Sequence, residues 1–126
     1  MGTLTRTASA LAGGAALTTA LVLLPSAASA APVTCANTSG GSTVCIGNDV
    51  DGYRATVTPW LDLDGSTLDF NLRCANGRWF GSEGAFRAQA GLARSYIFQV
   101  GRQGSCFVRL IDRTTGQSWD TPSIVR

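Results

Sequence analysis

The sequence has no histidine and no lysine, so all ten of its basic residues are arginines. Without histidine, one chain cannot build Ser-His-Asp or Cys-His machinery, a histidine-ligated zinc site or ordinary imidazole acid–base catalysis. Without lysine, Schiff-base chemistry and the phosphate-binding P-loop are excluded as well. We therefore expect no cofactor and no enzyme, and a function that rests on aromatic, arginine and carboxylate surfaces.

The first thirty residues are typical of a cleavable secretory signal peptide. After Arg6, residues 8–24 contain nothing ionisable, and residues 27–30 (Ala-Ala-Ser-Ala) supply the small side chains that signal peptidase requires. The alternative is an uncleaved membrane anchor, but the apolar core is shorter than the roughly 20 residues that span a bilayer. Cleavage after Ala30 predicts a protein that is secreted, and either released or associated with the cell wall, with no membrane contact after cleavage.

Residues 31–126 contain all four cysteines and are short enough to suit one secreted domain. An even number of cysteines in an oxidising compartment predicts a disulfide framework. Cys74 extends the inward positions of one predicted strand and Cys106 opens those of another, so both point into the core. This favours Cys74–Cys106 and Cys35–Cys45 among three possible pairings. A four-cysteine zinc site is the alternative, but no two cysteines have the Cys-x-x-Cys spacing.

Charge divides unevenly along this domain. Residues 31–72 carry five aspartates and one arginine, a net charge of −4, whereas residues 73–126 carry eight arginines and three carboxylates, a net charge of +5. The division fits ordinary solvated surfaces, or a basic face that docks on an anionic partner. The overall balance is too weakly basic for a nucleic-acid partner.

Period-two alternation between turn signals predicts an all-β domain of about seven short strands, arranged as an antiparallel sandwich or barrel. Residues 68–73 give the clearest strand, with Leu68, Phe70 and Leu72 facing one way. Asn76-Gly77 after it predicts a two-residue hairpin turn of type I′. Helical spacing is nowhere sustained, and we expect a monomer.

Two Asp-x-Asp-Gly segments offer the only candidate metal ligands, Asp49, Asp51, Asp62 and Asp64. Paired carboxylates beside a glycine turn suit calcium, but the twelfth position of an EF-hand loop is Trp60 in the first segment and Arg73 in the second, where glutamate is required. Aspartate and glycine are also the residues that β-turns select. We therefore favour turns, with weak calcium sites as the alternative.

Three tryptophans, Trp60, Trp79 and Trp119, are candidates for a carbohydrate-stacking platform, with Tyr53 and Tyr96 beside them. The alternative is that these large aromatics fill the core. Arg94 and Arg102 lie near turns and are candidates for contacts with a partner protein, since arginine is enriched at interface hot spots.

A carboxylate enzyme is the alternative function. Glu83 with Asp69 or Asp120 has the composition of a glycosidase pair. Glu83, however, is flanked by serine and glycine in a predicted loop, which is typical of a solvated residue.

In size, export, cysteine order and β character, the chain resembles the small exported inhibitor proteins of actinobacteria, including the tendamistat-type α-amylase inhibitors. That family carries a Trp-Arg-Tyr trio between its first two cysteines, whereas Cys35 and Cys45 enclose no aromatic residue and no arginine. The resemblance implies no site residue here. The sequence thus predicts a bacterial, non-enzymatic binding module or inhibitor-like protein for an extracellular protein or wall glycan; a glycan-cleaving enzyme and a structural envelope or spore-surface protein are alternatives.

Overall fold

The computed structural model describes residues 32–126, and the predicted signal peptide lies outside them. Ten strands make up almost all regular structure in this range, together with one turn of 3-10 helix at Leu61–Leu63. The strands are β1 (Val33–Asn37), β2 (Thr43–Asp49), β3 (Gly52–Thr58), β4 (Thr67–Cys74), β5 (Trp79–Gly81), β6 (Phe86–Arg87), β7 (Arg94–Phe98), β8 (Ser105–Asp112), β9 (Ser118–Asp120) and β10 (Ile124–Val125). Within residues 32–126, no helix is long and apolar enough to cross a membrane.

The strands form two antiparallel sheets packed as a sandwich, as the sequence predicts. The first sheet has the order β1-β2-β3-β7, and the second is built on the long central pair β4 and β8. Strands β5 and β6 share the outer edge of β4, while β9 and β10 share the outer edge of β8. Each edge thus consists of two short strands, and the domain has ten strands where about seven were predicted.

The core between the sheets is made by the alternating positions that the sequence identifies. Leu68, Phe70 and Leu72 of β4 are buried, and so are Ala55 and Val57 of β3. On β8, Cys106, Val108 and Leu110 are also buried, and Trp119 packs against this cluster from β9. The predicted inward series is therefore confirmed.

Both predicted disulfides are present, and each joins directly opposite residues of neighbouring strands. Cys74–Cys106 links β4 to β8 on the inner face, where Cys106 is fully buried. Cys35–Cys45 links β1 to β2 on the outer face, because the neighbouring positions Val44 and Ile46 point into the core. Each sheet therefore has its own covalent staple, one inside the core and one outside it.

The hairpin after β4 differs from its prediction. The N–H of Gly77 donates to the carbonyl of Cys74 at 3.0 Å, and the N–H of Cys74 donates to the carbonyl of Arg78 at 3.0 Å. These bonds enclose three loop residues, Ala75 to Gly77, rather than the two of a type I′ turn. Gly77 has a φ of 89°, the left-handed conformation that glycine adopts without steric cost.

Candidate functional site

The three tryptophans lie in three different environments and do not share a platform. Trp119 stands opposite Leu110 and packs against the core. Trp60 lies in the connection from β3 to β4, at the end of the sandwich where β4 begins. Trp79 lies on β5, opposite Arg73, near the other end of β4.

The two tyrosines are also unavailable as a sugar platform. Tyr53 is fully buried, and its hydroxyl donates to the carbonyl of Gly104 and accepts the N–H of Gln103, both at 2.9 Å. Tyr96 is half-buried and makes an edge-to-face contact with Phe98, with ring centroids 4.8 Å apart. Both tyrosines therefore pack in or against the core, and Tyr53 also tethers the β7–β8 loop.

The end of the sandwich near Trp60 displays three exposed apolar side chains. Trp60 is 51% exposed, Leu61 is 70% exposed and Leu92 is 54% exposed. The N–H of Gly91 donates to the carbonyl of Pro59 at 2.8 Å, so the segment that carries Leu92 lies against the segment that carries Trp60. We call Trp60, Leu61 and Leu92 the apolar tip.

Asp62 anchors the apolar tip to the β1–β2 hairpin. Its carboxylate accepts the hydroxyl of Thr38 and the hydroxyl of Ser42, each at 2.6 Å. The Ser42 Oγ in turn accepts the backbone N–H of Trp60 at 2.8 Å. On the other side, Leu63 is buried in the core. The exposed residues Trp60 and Leu61 therefore stand on a backbone that is held from both directions.

Two glycines in the hairpin allow this close approach. A Cβ atom at Gly40 would overlap the Cβ and carboxyl of Asp62. A Cβ atom at Gly41 would lie 3.4 Å from the Cδ1 of Trp60, so the indole rests against the hairpin backbone there. Gly41 also has a φ of 99°, which disfavours any other residue.

The hydrogen bonds at Asp62 determine its protonation. Desolvation by burial acts to raise the pKa of Asp62, but the hydroxyls of Ser42 and Thr38 outweigh it and hold the pKa below its ordinary value of 3.8. The carboxylate is therefore ionised at neutral pH. The hydroxyls of Thr38 and Ser42, which bind Asp62, are both used in this contact with the hairpin.

The second exposed tryptophan lies on the outward face of the six-stranded sheet. Trp79 is 59% exposed and stands directly opposite Arg73 of β4, which in turn stands opposite Phe107 of β8. Opposed residues share a face, so these three side chains form one row across three strands. In the next row, Arg109 lies beside Asn71 on the same face. We call Trp79, Arg73, Phe107 and Arg109 the Trp79 face.

The arginines of the Trp79 face differ in their partners. Arg109 makes a two-point ion pair with Asp120, with its Nε 2.7 Å and its Nη2 2.9 Å from the two carboxylate oxygens. Arg73 lies over the Trp79 ring at 5.2 Å from its centroid. Among the described residues, Arg73 makes no salt bridge, and its buried Nε has no hydrogen-bond partner.

The two arginines predicted as contact residues lie apart from one another. Arg94 begins β7 and covers the ring of Phe86, with its guanidinium carbon 4.4 Å from the centroid. Arg102 is exposed in the β7–β8 loop, beside Gln103, whose side chain accepts the amide of Asn76 at 2.9 Å. Neither belongs to the apolar tip.

The four candidate calcium ligands lie in two groups at opposite ends of β3. Asp49 pairs with Arg54 at 2.7 Å, and its neighbour Asp51 is exposed in the turn. Asp62 is held as described, and Asp64 accepts the N–H of Ala90 at 2.8 Å. In residues 32–126 no three or more histidine, cysteine, aspartate or glutamate side chains cluster as metal ligands would.

The carboxylates of the alternative enzyme are committed to other contacts. Asp69 binds Arg113 and Ser82, each at 2.7 Å. Desolvation acts to raise its pKa, but these bonds prevail and lower it, away from the range of a general acid. Glu83 borders a cavity of about 10 Å³, which holds one water molecule at most and no sugar ring.

Compared with protein-family models, with curated proteins and with solved structures, the chain has no significant match. The resemblance to the amylase inhibitors therefore stays a prediction. The assignment of a site depends on the geometry alone.

Sequence reasoning missed several residues of the two surfaces. Leu61 and Leu92 were overlooked because they lie in connections without strand periodicity. Phe107 carried a usable signal, since it is an aromatic residue on the polar side of an alternating strand. Arg73 carried none, because its partners are set by pairing with β5 and β8.

Proposed function

We propose that this protein is a secreted, non-enzymatic binding domain whose apolar tip binds an extracellular protein in the manner of an inhibitor. One observation carries the proposal: Trp60 and Leu61 are more than half exposed although their backbone is fixed by Ser42 and Asp62. Exposed apolar side chains on a fixed backbone lose little conformational entropy on binding, which favours affinity. Tryptophan is also the residue type most enriched at interface hot spots.

The chemistry of the tip favours a protein over a sugar. Sugar recognition needs side chains that hydrogen-bond hydroxyl groups as well as a ring to stack on. At the tip, the nearby side chains of Thr38, Ser42 and Asp62 bond one another, and Leu61 is aliphatic. An apolar patch on the partner protein would complement such a surface.

The non-enzymatic part of the proposal has separate support. Asp69 and Asp120 are each paired with an arginine, and the cavity beside Glu83 is too small for a sugar ring. Desolvation acts to raise the pKa of Asp69, but its bonds to Arg113 and Ser82 lower it, whereas a catalytic acid needs a raised pKa. Because Asp69 and Asp120 form ion pairs with arginines, a binding function fits the domain better than a catalytic one.

The proposal is tested by affinity capture with matched variants. The oxidised protein, its Trp60→Ala variant and its Trp79→Ala variant are immobilised and exposed to extracellular proteins of the organism that makes it. We expect one protein to be retained by wild type and by Trp79→Ala. Retention by Trp60→Ala should be weaker by roughly thirtyfold, the loss of a hot spot of about 2 kcal/mol.

Trp79→Ala is the matched control because it also removes an exposed tryptophan. Both variants should unfold within about 0.5 kcal/mol of wild type, since neither side chain is in the core. Equal retention by wild type and Trp60→Ala would contradict the proposal.

A further inference from the structure

We propose that the Trp79 face is a second binding site, whose ligand is an anionic polysaccharide. A sugar ring would lie against Trp79, and acidic groups of the polymer would pair with Arg73. This site is separate from the apolar tip in position and in chemistry. It therefore goes beyond the proposed function and does not depend on it.

Trp79, Arg73 and Phe107 form a regular row across the sheet. They occupy paired positions on three adjacent strands. Strands lie about 4.8 Å apart, so the two aromatic side chains start about 10 Å from each other with the arginine between them. The guanidinium of Arg109 covers the Phe107 ring, 5.8 Å from its centroid, so Trp79 is the aromatic side chain of the row that a sugar ring can reach.

The edge of the sheet beside this row is open. Gly81 follows Trp79 by two residues and so lies on the same face, opposite Asn71. A Cβ atom at Gly81 would meet no other atom within 4 Å. A polymer can therefore cross the edge of the sheet next to Trp79 without displacing a side chain.

The charge of Arg73 favours an anionic ligand. Arg73 makes no salt bridge within residues 32–126, and its buried Nε lacks a hydrogen-bond acceptor. An anionic ligand would supply the acidic partner that the guanidinium of Arg73 lacks among the described residues.

Two ligand classes fit less well. A neutral glycan would stack on Trp79 but leave Arg73 without a charge partner. A nucleic acid would offer phosphates, but the basic residues are too few and the overall charge too near zero for such a partner. An anionic polysaccharide would contact Trp79 and pair with Arg73 at the same time.

The test measures binding of the oxidised protein to three immobilised polysaccharides: polygalacturonate, heparin and neutral dextran. We expect retention on polygalacturonate or heparin, release as salt rises from about 0.05 to 0.5 M, and no retention on dextran. Retention on only one of the two anionic matrices would identify carboxylate or sulfate as the acidic group recognised.

Four variants locate the site. Trp79→Ala and Arg73→Gln should each weaken binding roughly tenfold. Trp60→Ala, which removes the other exposed tryptophan, should bind within about twofold of wild type, and so should Arg94→Gln, which removes an arginine that also covers an aromatic ring. Thermal unfolding of each variant shows whether it is folded, and the comparison of Trp79→Ala with Trp60→Ala locates the site if Arg73→Gln is not.

Three outcomes would overturn the proposal. They are equal retention on dextran, no retention on either anionic matrix, and equal loss of binding in Arg94→Gln and Arg73→Gln. The last result would indicate attraction by net charge without a site. None of these outcomes bears on the apolar tip, so the two proposals fail separately.

Discussion

The apolar tip and the Trp79 face each present a tryptophan that is more than half exposed, but different side chains surround it. At the tip, Trp60 has aliphatic neighbours, and the nearby polar groups are used to hold the backbone. On the sheet, the guanidinium of Arg73 lies over the Trp79 ring, and the Nε of Arg73 has no partner among the described residues. Exposure alone therefore does not assign a tryptophan to a ligand class. The assignment depends on whether the groups around the ring still have free hydrogen-bonding capacity.

The two surfaces are also supported by different disulfides. The hairpin that anchors the tip is closed by Cys35–Cys45 on the outer face of its sheet. The strands that carry Arg73 and Phe107 are joined by Cys74–Cys106 inside the core. No disulfide connects the two sheets, so the core and hydrogen bonds such as those of Thr34 to Pro122 and Tyr53 to Gly104 hold one surface in place relative to the other.

Removing either disulfide should cause the largest loss of stability among the changes considered for the two surfaces. Chain entropy predicts a loss of about 4 kcal/mol for Cys74→Ala with Cys106→Ala, and about 3 kcal/mol for Cys35→Ala with Cys45→Ala. The first variant should also lose core packing, because Cys106 is fully buried. Urea unfolding measures both.

Binding assays on the disulfide variants sharpen the result. The Cys35/Cys45 variant should weaken capture at the tip more than it weakens retention on an anionic polysaccharide. An equal loss of both activities would indicate that the surfaces are not independently supported.

The next effect is at the hairpin glycines. Gly40→Ala should destabilise the protein by about 1–3 kcal/mol, because the new methyl group overlaps Asp62 and the tip must move. Gly81→Ala on the Trp79 face is the matched control and should stay within about 0.5 kcal/mol, since its Cβ meets open space. Thermal unfolding compares the two, and equal destabilisation would refute the close contact at the tip.

The smallest effect is acid sensitivity of the tip. Because the folded-state pKa of Asp62 lies below 3.8, its contribution to stability is present above that pH and is lost as pH falls through the folded-state pKa. The contribution should be no more than about 1 kcal/mol, because the residue is largely exposed. Asp62→Asn should therefore be less stable than wild type at pH 6, and the difference should shrink below pH 3.8.

Asp51→Asn is the control for this pH series, since it removes the same charge at the opposite end of β3. Asp49 and Asp69 also have lowered pKa values, so wild type alone would not isolate Asp62. A stability difference between wild type and Asp62→Asn that stays constant from pH 6 to pH 2.5 would show that its hydrogen bonds do not select the ionised form.

The central strands and both disulfides were predictable from the sequence because they follow from alternation. Leu68, Phe70 and Leu72 set the face of β4, and this in turn placed Cys74 with Cys106. Strand β1 was not predicted, because its inward positions are Thr34 and Ala36, which give no hydrophobic signal. Its place comes from pairing with β2, which is a long-range property.

The two surfaces were only partly predictable for the same reason. Composition identified Trp60 and Trp79 as candidates, yet it grouped them with Trp119, which packs against the core. Separating them requires knowing that Trp119 faces Leu110 and that Trp79 faces Arg73, which is a matter of strand register. The anchoring of Trp60 by Ser42 joins residues 18 positions apart, and no local pattern encodes it.

The most direct test of the account is a crossed binding experiment with Trp60→Ala and Trp79→Ala. Each variant is assayed against the protein captured by wild type and against the anionic polysaccharide that retains wild type. The account predicts that Trp60→Ala loses only the protein and Trp79→Ala loses only the polysaccharide. Loss of both ligands in either variant, or loss of neither in both, would contradict it.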